Sequence, residues 1–452
     1  MAHKKLLSNW GNYPAVTAEE TSFRTVKEAR EFIAKHDGII SRGMGRCYGD
    51  ASLAQHSIST LQFNKILFFD RLNGIIECEA GVTLDSILEV VVPAGWFLPV
   101  TPGTKYVSIG GAVASNVHGK NHHIDGCFGD HVIDMEVIVA SGESLFCSKE
   151  VKADLFVATM GGMGLTGLIT RVKFKLKKIY TSYIRQRQVK ARNLIEVFEL
   201  FEQYRHHTYS VAWIDCLKGG DASGRSILIL GEHALSEELN ARQSRNPLTI
   251  HSNQHLPIPF NLPSFILNKY SVKLFNYLYY NKKMPKISDD IVPYDSFFYP
   301  LDVIRHWNRG YGRRGVIQYQ LVFPLENSLN GLTEVLKRIR KSGMGSFLTV
   351  LKLFGPYESL ISFPMEGYTL ALDFPVERKL FPFLEELDRI VLGNGGRLYL
   401  TKDARMSPDM FTKGYPDADK FLDIVNKYNP VFKFSSLLST RLNITTKQNA
   451  IL

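Results

Sequence analysis

Cysteine is scarce in this chain of 452 residues, and long apolar segments are missing. Five cysteines make an odd number and include no Cys-x-x-Cys pair, which argues against a disulfide framework and against a zinc site. They are Cys47, Cys78, Cys127, Cys147 and Cys216. No apolar run is long enough to span a bilayer, and the first residues lack the apolar core of a secretory signal. The sequence therefore predicts a cytoplasmic protein with reduced thiols.

Nucleic-acid-binding signatures are also missing. The formal net charge is +10, but the basic residues are spread along the chain without a recognition helix, zinc finger or RNA-binding motif. We therefore expect no nucleic-acid partner. An anionic partner such as a lipid headgroup or a phosphorylated substrate agrees with the charge, although moderate basicity also serves solubility.

The composition changes near Ile179, where we expect a domain boundary. Before it, apolar runs alternate with glycine turns: residues 75–82 are typical of a strand, and residues 83–95 of a helix with Thr83 as N-cap. After it, β-type runs such as 226–232 mix with helical patterns, which is typical of an α+β domain. No internal repeat divides the chain further. The sequence predicts one domain over 1–179 and another over 180–397.

A G-x-G-x-x-G pattern at Gly162, Gly164 and Gly167 resembles the dinucleotide-binding fingerprint of Rossmann units. That fingerprint requires a strand before the glycines and a helix after them. Here a predicted helix precedes the glycines and an alternating strand follows, so no helix N-terminus can receive a pyrophosphate. We reject the Rossmann interpretation.

Two other glycine-rich segments, 41–50 and 101–120, suit backbone contact with phosphates. Glycines at 43, 45 and 49, and at 103, 110 and 111, let the backbone N–H groups turn inward without a Cβ in the way. Each segment taken alone is also compatible with an ordinary tight turn. Their joint occurrence in this order is what favours a binding site.

Seven strings along the chain resemble the flavoproteins of the vanillyl-alcohol-oxidase type, and among them the decaprenylphosphoryl-β-D-ribose oxidases. In order they are RGMGRCYGD, PGTKYVSIGGAVASNVHGKNHHIDGCFGDHV, GGMGLTGLITRV, YSVAWIDCL, QYQ, LKLFG and GGRLYLTKDAR. The resemblance covers nearly the whole chain. It is most specific in HGKNHH and YLTKDAR, which are not general flavin motifs.

The resemblance implies an α+β fold of two domains and FAD as cofactor. The FAD-binding domain, of the PCMH type, is discontinuous: it comprises 1–179 and a C-terminal segment, 398–452, that returns to it. The substrate domain, 180–397, contains an antiparallel sheet. The implied cofactor-binding residues are Ser41, Arg42, Gly43, Met44, Gly45, Arg46, Cys47, Tyr48, Gly49, Asp50, Ala51, Gly103, Thr104, Ser108, Ile109, Gly110, Gly111, Ser115, Asn116, Val117, His118, Gly119, Ile169 and Tyr399.

The flavin is expected to be bound without a covalent bond. Relatives that link the flavin covalently do so through a His in the first glycine loop, and this sequence has Arg46 there. A guanidinium stays protonated and cannot act as the nucleophile. The C-terminal His of the aldonolactone oxidases is likewise Tyr399 here, whereas their Lys three residues later is kept as Lys402.

Four histidines close together invite a metal interpretation, because His118 and His122 are four residues apart. Gly119 lies between them, and no cysteine or paired carboxylate completes a ligand set. We therefore expect no metal, and interpret His122, His123 and His131 as turn or core histidines and His118 as a flavin neighbour.

The resemblance implies catalytic roles for Lys402, His118 and Tyr48. Lys402 is expected to position a substrate hydroxyl and stabilise its developing charge, and His118 to orient flavin or substrate. Substrate binding is assigned to Lys120, Gln318, Gln320, Lys352 and Lys402. A site cysteine of some relatives is replaced by Ala371, so covalent inhibitors aimed at that thiol should fail.

The implied reaction is oxidation of the C2 hydroxyl of a polyprenylphosphoryl pentose to the 2-keto sugar. It is the oxidase half of an epimerisation, and a separate NADH-dependent reductase completes it. Two alternatives stay open. One is an aldonolactone or other soluble sugar-alcohol oxidase on the same fold, and the other is a flavin-binding protein without catalysis.

The segment from His251 to Lys283 combines aromatic and basic residues with poor periodicity, which predicts a loop or a mobile helical segment. Its aromatics are Phe260, Phe265, Phe275, Tyr277, Tyr279 and Tyr280, and its lysines are Lys269, Lys273, Lys282 and Lys283. One interpretation is a peripheral contact with the inner face of the plasma membrane, where the lipid-linked substrate lies. The other is a lid packed over the active site.

Overall fold

The structure is a computed structural model that describes residues 3–251, 257–263, 266–282 and 285–446. Its first sheet has four strands in the order β1-β2-β4-β3. They are β1 (His3–Ser8), β2 (Ala15–Ser22), β3 (Ile39–Arg42) and β4 (His56–Ser59). Helix α1 (Val26–Lys35) connects β2 to β3; a capping box between Thr25 and Glu28 begins it, and Ala29 and Ile33 are buried beneath it. Strand β3 leads directly into the first glycine loop.

The second sheet has five antiparallel strands in the order β5-β6-β10-β8-β9. They are β5 (Ile66–Asp70), β6 (Ile75–Glu79), β8 (Val132–Ile138), β9 (Ser144–Ser148) and β10 (Leu168–Lys175), while β7 (Trp96–Phe97) pairs with β11 (Lys177–Lys178). The helices here are α2 (Leu84–Val91), α3 (Ile109–Ala114), α4 (His122–Asp125) and α5 (Ala153–Thr159). Thr83 caps α2 as predicted, and β10 buries every second residue along most of its length.

The third sheet has eight antiparallel strands in the order β15-β12-β14-β13-β17-β18-β16-β19. They are β12 (Tyr183–Ala191), β13 (Tyr209–Ile214), β14 (Ser226–His233), β15 (Ile287–Pro293), β16 (Val316–Pro324), β17 (Thr349–Phe354), β18 (Gly367–Pro375) and β19 (Arg397–Leu398). Helices α6 (Leu194–Gln203), α9 (Ser328–Ser342) and α10 (Leu380–Gly393) share a core with this sheet. The predicted α+β fold with an antiparallel substrate-domain sheet is confirmed.

Two further helices, α7 (Lys269–Asn281) and α8 (Tyr294–Phe298), lie between β14 and β16 in the chain. The segment predicted as a loop or mobile helix contains both an irregular stretch, 257–263, and α7; Phe265 and Lys283 lie outside the described residues. No helix in the described ranges combines the length and the apolar character needed to cross a membrane.

The C-terminal segment contains α11 (Pro408–Gly414), α12 (Ala418–Tyr428) and α13 (Leu437–Arg441). It returns to the first sheet, where the Ile39 N–H donates to the Lys433 carbonyl at 2.9 Å and the Ser435 N–H donates to the Ile39 carbonyl at 2.9 Å. The division between 397 and 398 falls inside β19, which pairs with β16 of the third sheet. Residues after β19 therefore connect the large sheet to the first glycine loop.

Candidate active site

One face of the third sheet forms the floor of a cavity of about 730 Å³. Side chains alternate between the two faces of a strand, so residues opposite one another on neighbouring strands share a face. Strand register aligns Gln320 on β16, Ala371 on β18, Val350 on β17 and Trp213 on β13 in one row across the floor. A neighbouring row joins Lys352 to Thr369. All six side chains line the cavity.

The floor changes from polar to apolar along these rows. Strand β16 contributes Gln318 and Gln320, and Lys352 on β17 and Thr369 on β18 extend this polar part. The apolar part comprises Val350 and Ala371 on the same two strands and Val211, Trp213 and Ile229 on β13 and β14. Helix α7 closes the apolar half: the ring of Tyr279 lies 4.7 Å from that of Trp213, and both line the cavity. One chamber therefore offers hydrogen-bonding and charged groups at one side of its floor and a hydrocarbon surface at the other.

Glycine loops form the other walls of the cavity. Gly45 adopts φ +60°, a conformation that a side chain would strain, and an added Cβ at Gly103 would meet only open space. Two buried polar atoms of these walls, Ser41 Oγ and His118 Nδ1, have no partner among the described residues. Buried polar groups are normally hydrogen-bonded, so these atoms fit a bound polar molecule. Glycine backbone and unpaired polar atoms at one cavity suit the diphosphate and ring system of FAD.

Most of the residues predicted from the sequence line this cavity. They are Ser41, Gly43, Met44, Gly45, Arg46, Cys47, Tyr48, Ala51, Gly103, Thr104, Ser108, Gly110, Gly111, Ser115, Val117, His118, Gly119, Ile169, Tyr399, Lys120, Gln318, Gln320, Lys352 and Lys402. Five predicted residues lie behind the wall instead, namely Arg42, Gly49, Asp50, Ile109 and Asn116. Their side chains or backbone hold the loops that form it.

Asn116 and Arg42 show how these loops are held. The Asn116 amide donates to Tyr357 Oη at 2.6 Å and to Ser362 Oγ at 2.9 Å, which joins the second glycine segment to the loop after β17. The Arg42 guanidinium donates to the Asn9 side chain and, at 2.7 Å, to the Ser8 carbonyl. Both side chains therefore act on the shape of the wall.

Lys402 lies on a tight turn after β19 that packs against the first glycine loop. The Tyr48 N–H donates to the Thr401 carbonyl at 3.0 Å, and a Cβ on Gly49 would approach the Asp403 carbonyl oxygen to 1.6 Å. Only glycine permits this contact. The close approach places Lys402 Nζ 4.1 Å from the centroid of the Tyr48 ring.

Buried ion pairs fix this turn from two sides. Arg441 on α13 reaches both Asp50 and Asp403 at 2.8 Å, and the side chains of these two carboxylates are only 4% exposed. On the other side Arg405 pairs with Asp388 of α10. We call this set, Asp50, Asp388, Asp403, Arg405 and Arg441, the ionic clamp. It ties the Lys402 turn to the glycine loop, α10 and α13.

His118 is held as a neutral acceptor. The Gln320 amide donates to His118 Nε2 at 3.0 Å, and Phe354, Phe363 and Tyr399 surround the ring. Burial, helped by the Lys352 charge, lowers the pKa of His118 well below its usual value. His118 therefore presents Nδ1–H to a ligand, and does not contribute a positive charge.

The other three histidines of this region make backbone contacts. His122 Nδ1 accepts from the Gly355 N–H at 3.2 Å, while Nε2 of His123 and of His131 each lie within 2.9 Å of a backbone carbonyl. Among the described residues no group of three metal-ligating side chains is close enough to hold a metal ion. The ring contacts of His122, His123 and His131 are those of turn and core histidines.

Three half-buried lysines, Lys120, Lys352 and Lys402, face the cavity. Burial lowers the pKa of Lys120 to about 7 and that of Lys352 to about 8, and it also lowers that of Lys402 to about 8. Lys120 Nζ also lies against the Phe297 carbonyl and 4.3 Å from the centre of the Phe297 ring. Several cations withdrawn from water into one chamber favour an anionic ligand.

Sequence analysis missed the aromatic part of the lining. Trp10, Trp213, Tyr279 and Trp307 all line the cavity, and Arg46 lies 4.6 Å from the centre of the Trp10 ring. Trp213 stood in a recognised string and Tyr279 in the segment with a lid as one interpretation, but neither was assigned to the site. Nothing in the local pattern marks Trp10 and Trp307. The rejected G-x-G-x-x-G segment does follow helix α5 and precede strand β10, yet Gly164 and Gly167 also line the cavity.

Comparison with known proteins agrees with this geometry. Residues 14–148 match the family described as FAD binding domain. The chain is 35% identical over 455 residues to the decaprenylphosphoryl-beta-D-ribose oxidase of Mycolicibacterium smegmatis, covering 97% of this chain and 98% of that protein. It is 30% identical over 375 residues to an uncharacterized protein of Streptomyces coelicolor, covering 80% of this chain and all of the relative.

A shorter match is instructive. A Neurospora crassa protein, provisionally named a D-arabinono-1,4-lactone oxidase, is 31% identical over 138 residues, 30% of this chain and 25% of its own length. That match is a partial one, whereas the match to the mycobacterial relative covers 97% of this chain. Such full-length similarity shows that the chain belongs to the vanillyl-alcohol-oxidase type of flavoproteins, in the family of decaprenylphosphoryl-β-D-ribose oxidase, and is an FAD-dependent oxidoreductase acting on CH–OH groups.

Proposed function

We propose that the protein oxidises the C2 hydroxyl of a polyprenylphosphoryl pentose to the corresponding 2-keto sugar. The observation that carries the proposal is the division of the cavity floor into a polar, cationic part, formed by Gln318, Gln320, Lys352 and Thr369, and an apolar part that extends over β13 and β14. A sugar phosphate attached to a hydrocarbon chain has the same division. A free sugar lactone would leave the apolar half without a partner.

FAD, when bound, supplies the acceptor for the hydride that leaves the substrate carbon. We assign its binding to the glycine loops, with Ser41 and His118 offering the unpaired polar atoms. Arg46 lines the same cavity and cannot form the covalent link that a histidine forms, so the flavin is held by contacts alone.

Lys402 is the group that we assign to the reacting oxygen. As the C–H bond breaks, negative charge develops on the hydroxyl oxygen, and a nearby ammonium stabilises that charge most strongly in a site closed to water. Tyr48 fixes the ammonium through the face of its ring. His118, held by Gln320, orients the reacting groups from the other side.

Lys120, Lys352, Gln318 and Gln320 are assigned to the sugar and its phosphate. Burial and the Lys352 charge lower the pKa of Lys120, and burial lowers the pKa of Lys352; a phosphate beside the two lysines would favour their charged forms. The amides of Gln318 and Gln320 lie on the same floor and suit sugar hydroxyls. The hydrocarbon chain would follow Val350, Trp213 and Val211 toward α7.

The lipid chain implies a place of action. An enzyme that acts on a membrane-anchored headgroup must meet the bilayer surface, and we propose that α7 makes a peripheral contact at the inner face of the plasma membrane. Tyr279 of α7 lines the cavity, whereas Tyr270, Leu274, Tyr277 and Leu278 on the same helix are more than half exposed. A lid over the active site would explain why Tyr279 lines the cavity, but it would not explain the exposed apolar residues on the outer face of α7.

The product is a ketone, and the stereochemistry at C2 is lost on its formation. Inverting that centre requires a reductive step by a separate enzyme, for which we propose an NADH-dependent keto-sugar reductase as functional partner. The protein is then the oxidase half of an epimerisation.

The test is anaerobic bleaching of the flavin absorbance. Three compounds are compared: a polyprenylphosphoryl pentose, the same pentose phosphate without lipid, and an aldonolactone. We expect the lipid-linked compound to have the lowest KM. Trp213→Ala should raise that KM about tenfold or more, the value of one large apolar contact, while leaving the KM of the lipid-free compound unchanged.

Lys402→Met tests the chemistry in the same assay. We expect flavin reduction to slow by about a hundredfold or more with FAD content unchanged. Lys413→Met, which removes an exposed lysine of α11, serves as the control and should behave like the wild type. Faster bleaching by the lactone would replace the proposed substrate by a soluble sugar, and absence of bleaching by every alcohol would leave a flavin-binding protein without catalysis.

A further inference from the structure

A buried carboxylate lies beside the polar half of the cavity floor, next to Gln318 on the same face of the sheet. Asp373 on β18 is 1% exposed, and strand register places it opposite Gln318 of β16. The Gln318 amide donates to Asp373 Oδ1 at 2.6 Å, and the Tyr311 hydroxyl donates to Oδ2 at 3.2 Å. Two donors on one carboxylate favour its charged form. None of the roles assigned above uses this residue.

Charged and titratable groups reach Lys402 from four elements. The first glycine loop brings Cys47 and Tyr48, the segment after α3 brings His118, β17 brings Lys352, and β18 brings Asp373. Burial raises the pKa of Cys47 and of Tyr48 and lowers that of His118, so all three are neutral near pH 7. Lys352 repels the Lys402 charge. Among these groups Asp373 is the one that supplies negative charge.

The same network connects the two residues through the cavity floor. Gln318 both donates to Asp373 and neighbours the Tyr48 hydroxyl, and Lys402 Nζ lies over the Tyr48 ring. Gln318 and Tyr48 thus lie between Asp373 and Lys402. In a low-dielectric site a charge separated by such intervening side chains still has a large effect on the pKa of Lys402.

We propose that Asp373 is a positioning residue for Lys402: the Asp373 carboxylate keeps the Lys402 ammonium charged inside the cavity. The inference rests on the proposed role of Lys402 in stabilising the substrate oxygen. Asp373 itself does not line the cavity. It holds the charge state on which Lys402 depends.

The direction of the pH effect follows from the signs of the neighbouring charges. Burial lowers the pKa of Lys402 to about 8, and the Asp373 carboxylate opposes that fall. Burial also raises the pKa of Asp373 to about 6, so the carboxylate is ionised over the range in which Lys402 titrates. Removing the carboxylate therefore lowers the pKa of Lys402 further. An enzyme that needs the ammonium should then lose activity at a lower pH.

The first experiment measures the Lys402 pKa without any substrate. The holoenzyme is labelled with trace acetic anhydride between about pH 6 and about pH 10, and the acetylated Lys402 peptide is quantified by mass spectrometry, because only the neutral amine reacts. Asp373→Asn and Asp373→Ser should lower the apparent pKa by about one unit. Tyr311→Phe removes a hydrogen bond to Asp373 but keeps its charge, and should leave the Lys402 pKa unchanged.

The second experiment follows the same variants in flavin reduction by the best alcohol substrate. The basic limb of the rate profile should move to lower pH by the shift found in labelling, and in Tyr311→Phe it should stay in place. An unchanged Lys402 pKa in the Asp373 variants would overturn the proposal, as would loss of FAD from both of them. A shifted pKa with an unmoved kinetic limb would instead remove the ammonium of Lys402 from the proposed function.

Discussion

Arg46 is the residue on which the prediction of non-covalent flavin binding rests. Its guanidinium lies 4.6 Å from the centre of the Trp10 ring, and Nη1 donates to the Met44 carbonyl at 3.1 Å. Burial lowers its pKa, but a guanidinium remains protonated at any physiological pH. The position is therefore occupied by a fixed cation that lacks a nucleophilic nitrogen.

We expect acid precipitation of the purified holoenzyme to release all of its FAD into the supernatant. Flavin fluorescence should be missing from the polypeptide on a denaturing gel. The variant Arg46→His is the matched comparison, since it restores an imidazole at the same place in the glycine loop. Fluorescence that stays with the denatured wild-type chain would show a covalent link through another residue.

At the residue scale, sequence analysis could find candidate site residues where they lie in short sequence motifs. The structure brings Gly43, Gly45, His118 and Lys402, all taken from such motifs, into the lining of one cavity. Asp373 lies in no recognised motif. The role of an acidic residue in an apolar strand depends on which residue lies opposite it in the sheet. The strand register that pairs it with Gln318 is a tertiary property.

At the scale of elements, the ionic clamp is the feature that holds the Lys402 turn. It joins the glycine loop, α10 and α13, and its carboxylates are almost wholly buried. Removing the cation from such a set leaves uncompensated negative charges out of water, which is far more costly than losing an exposed pair. The clamp should therefore be essential to both stability and flavin retention.

We expect Arg441→Met to lower the free energy of unfolding by about 3 kcal/mol and to weaken FAD binding. Urea unfolding and the release of flavin fluorescence on heating measure the two effects. Lys413→Met removes the cation of an exposed pair with Asp409 and should not change either transition measurably. Equal behaviour of the two variants would mean that the clamp contributes nothing beyond a surface ion pair.

The sequence predicted individual elements better than the contacts between them. Helix α2 and strand β10 were predicted because a cap residue and an alternating pattern are local signals. Asp50 and Arg441, by contrast, are separated by 391 positions, and no local pattern links them. Helix α7 was left undecided between a loop and a mobile helical segment because the periodicity of 251–283 is poor. In the structure the apolar residues at 270, 274, 277 and 278 face outward, where a polar surface is expected.

At the scale of the whole molecule, a net charge of +10 and the outer face of α7 act together. Tyr270, Leu274, Tyr277 and Leu278 form an exposed apolar strip, and Lys269 and Lys273 lie on the same helix. Aromatic and aliphatic groups suit the boundary between headgroups and acyl chains, and each lysine near an anionic surface adds about 1 kcal/mol.

We expect the holoenzyme to sediment with liposomes that contain anionic lipid at low salt and to be released at high salt. Leu274→Ser combined with Leu278→Ser should weaken that binding and raise the KM for lipid-linked substrate without changing FAD content. Leu72→Ser, at a leucine that is 90% exposed in the turn between β5 and β6, controls for the loss of apolar surface alone. Sedimentation that is missing, or equal in both variants, would leave α7 as a lid.

The way in which the chain closes on itself also sets a time at which activity can begin. The glycine loop leaves the ribosome early, but Lys402 follows it roughly 350 residues later, and at synthesis rates of about 5–20 residues per second that interval is on the order of 20 to 70 s. During this interval Lys433 and Ser435, which hydrogen-bond to strand β3, and Arg441, which pairs with Asp50, have not yet been synthesised. The flavin site of a growing chain is therefore incomplete for most of its synthesis, and the chain must be kept from aggregating until its C-terminal segment is made.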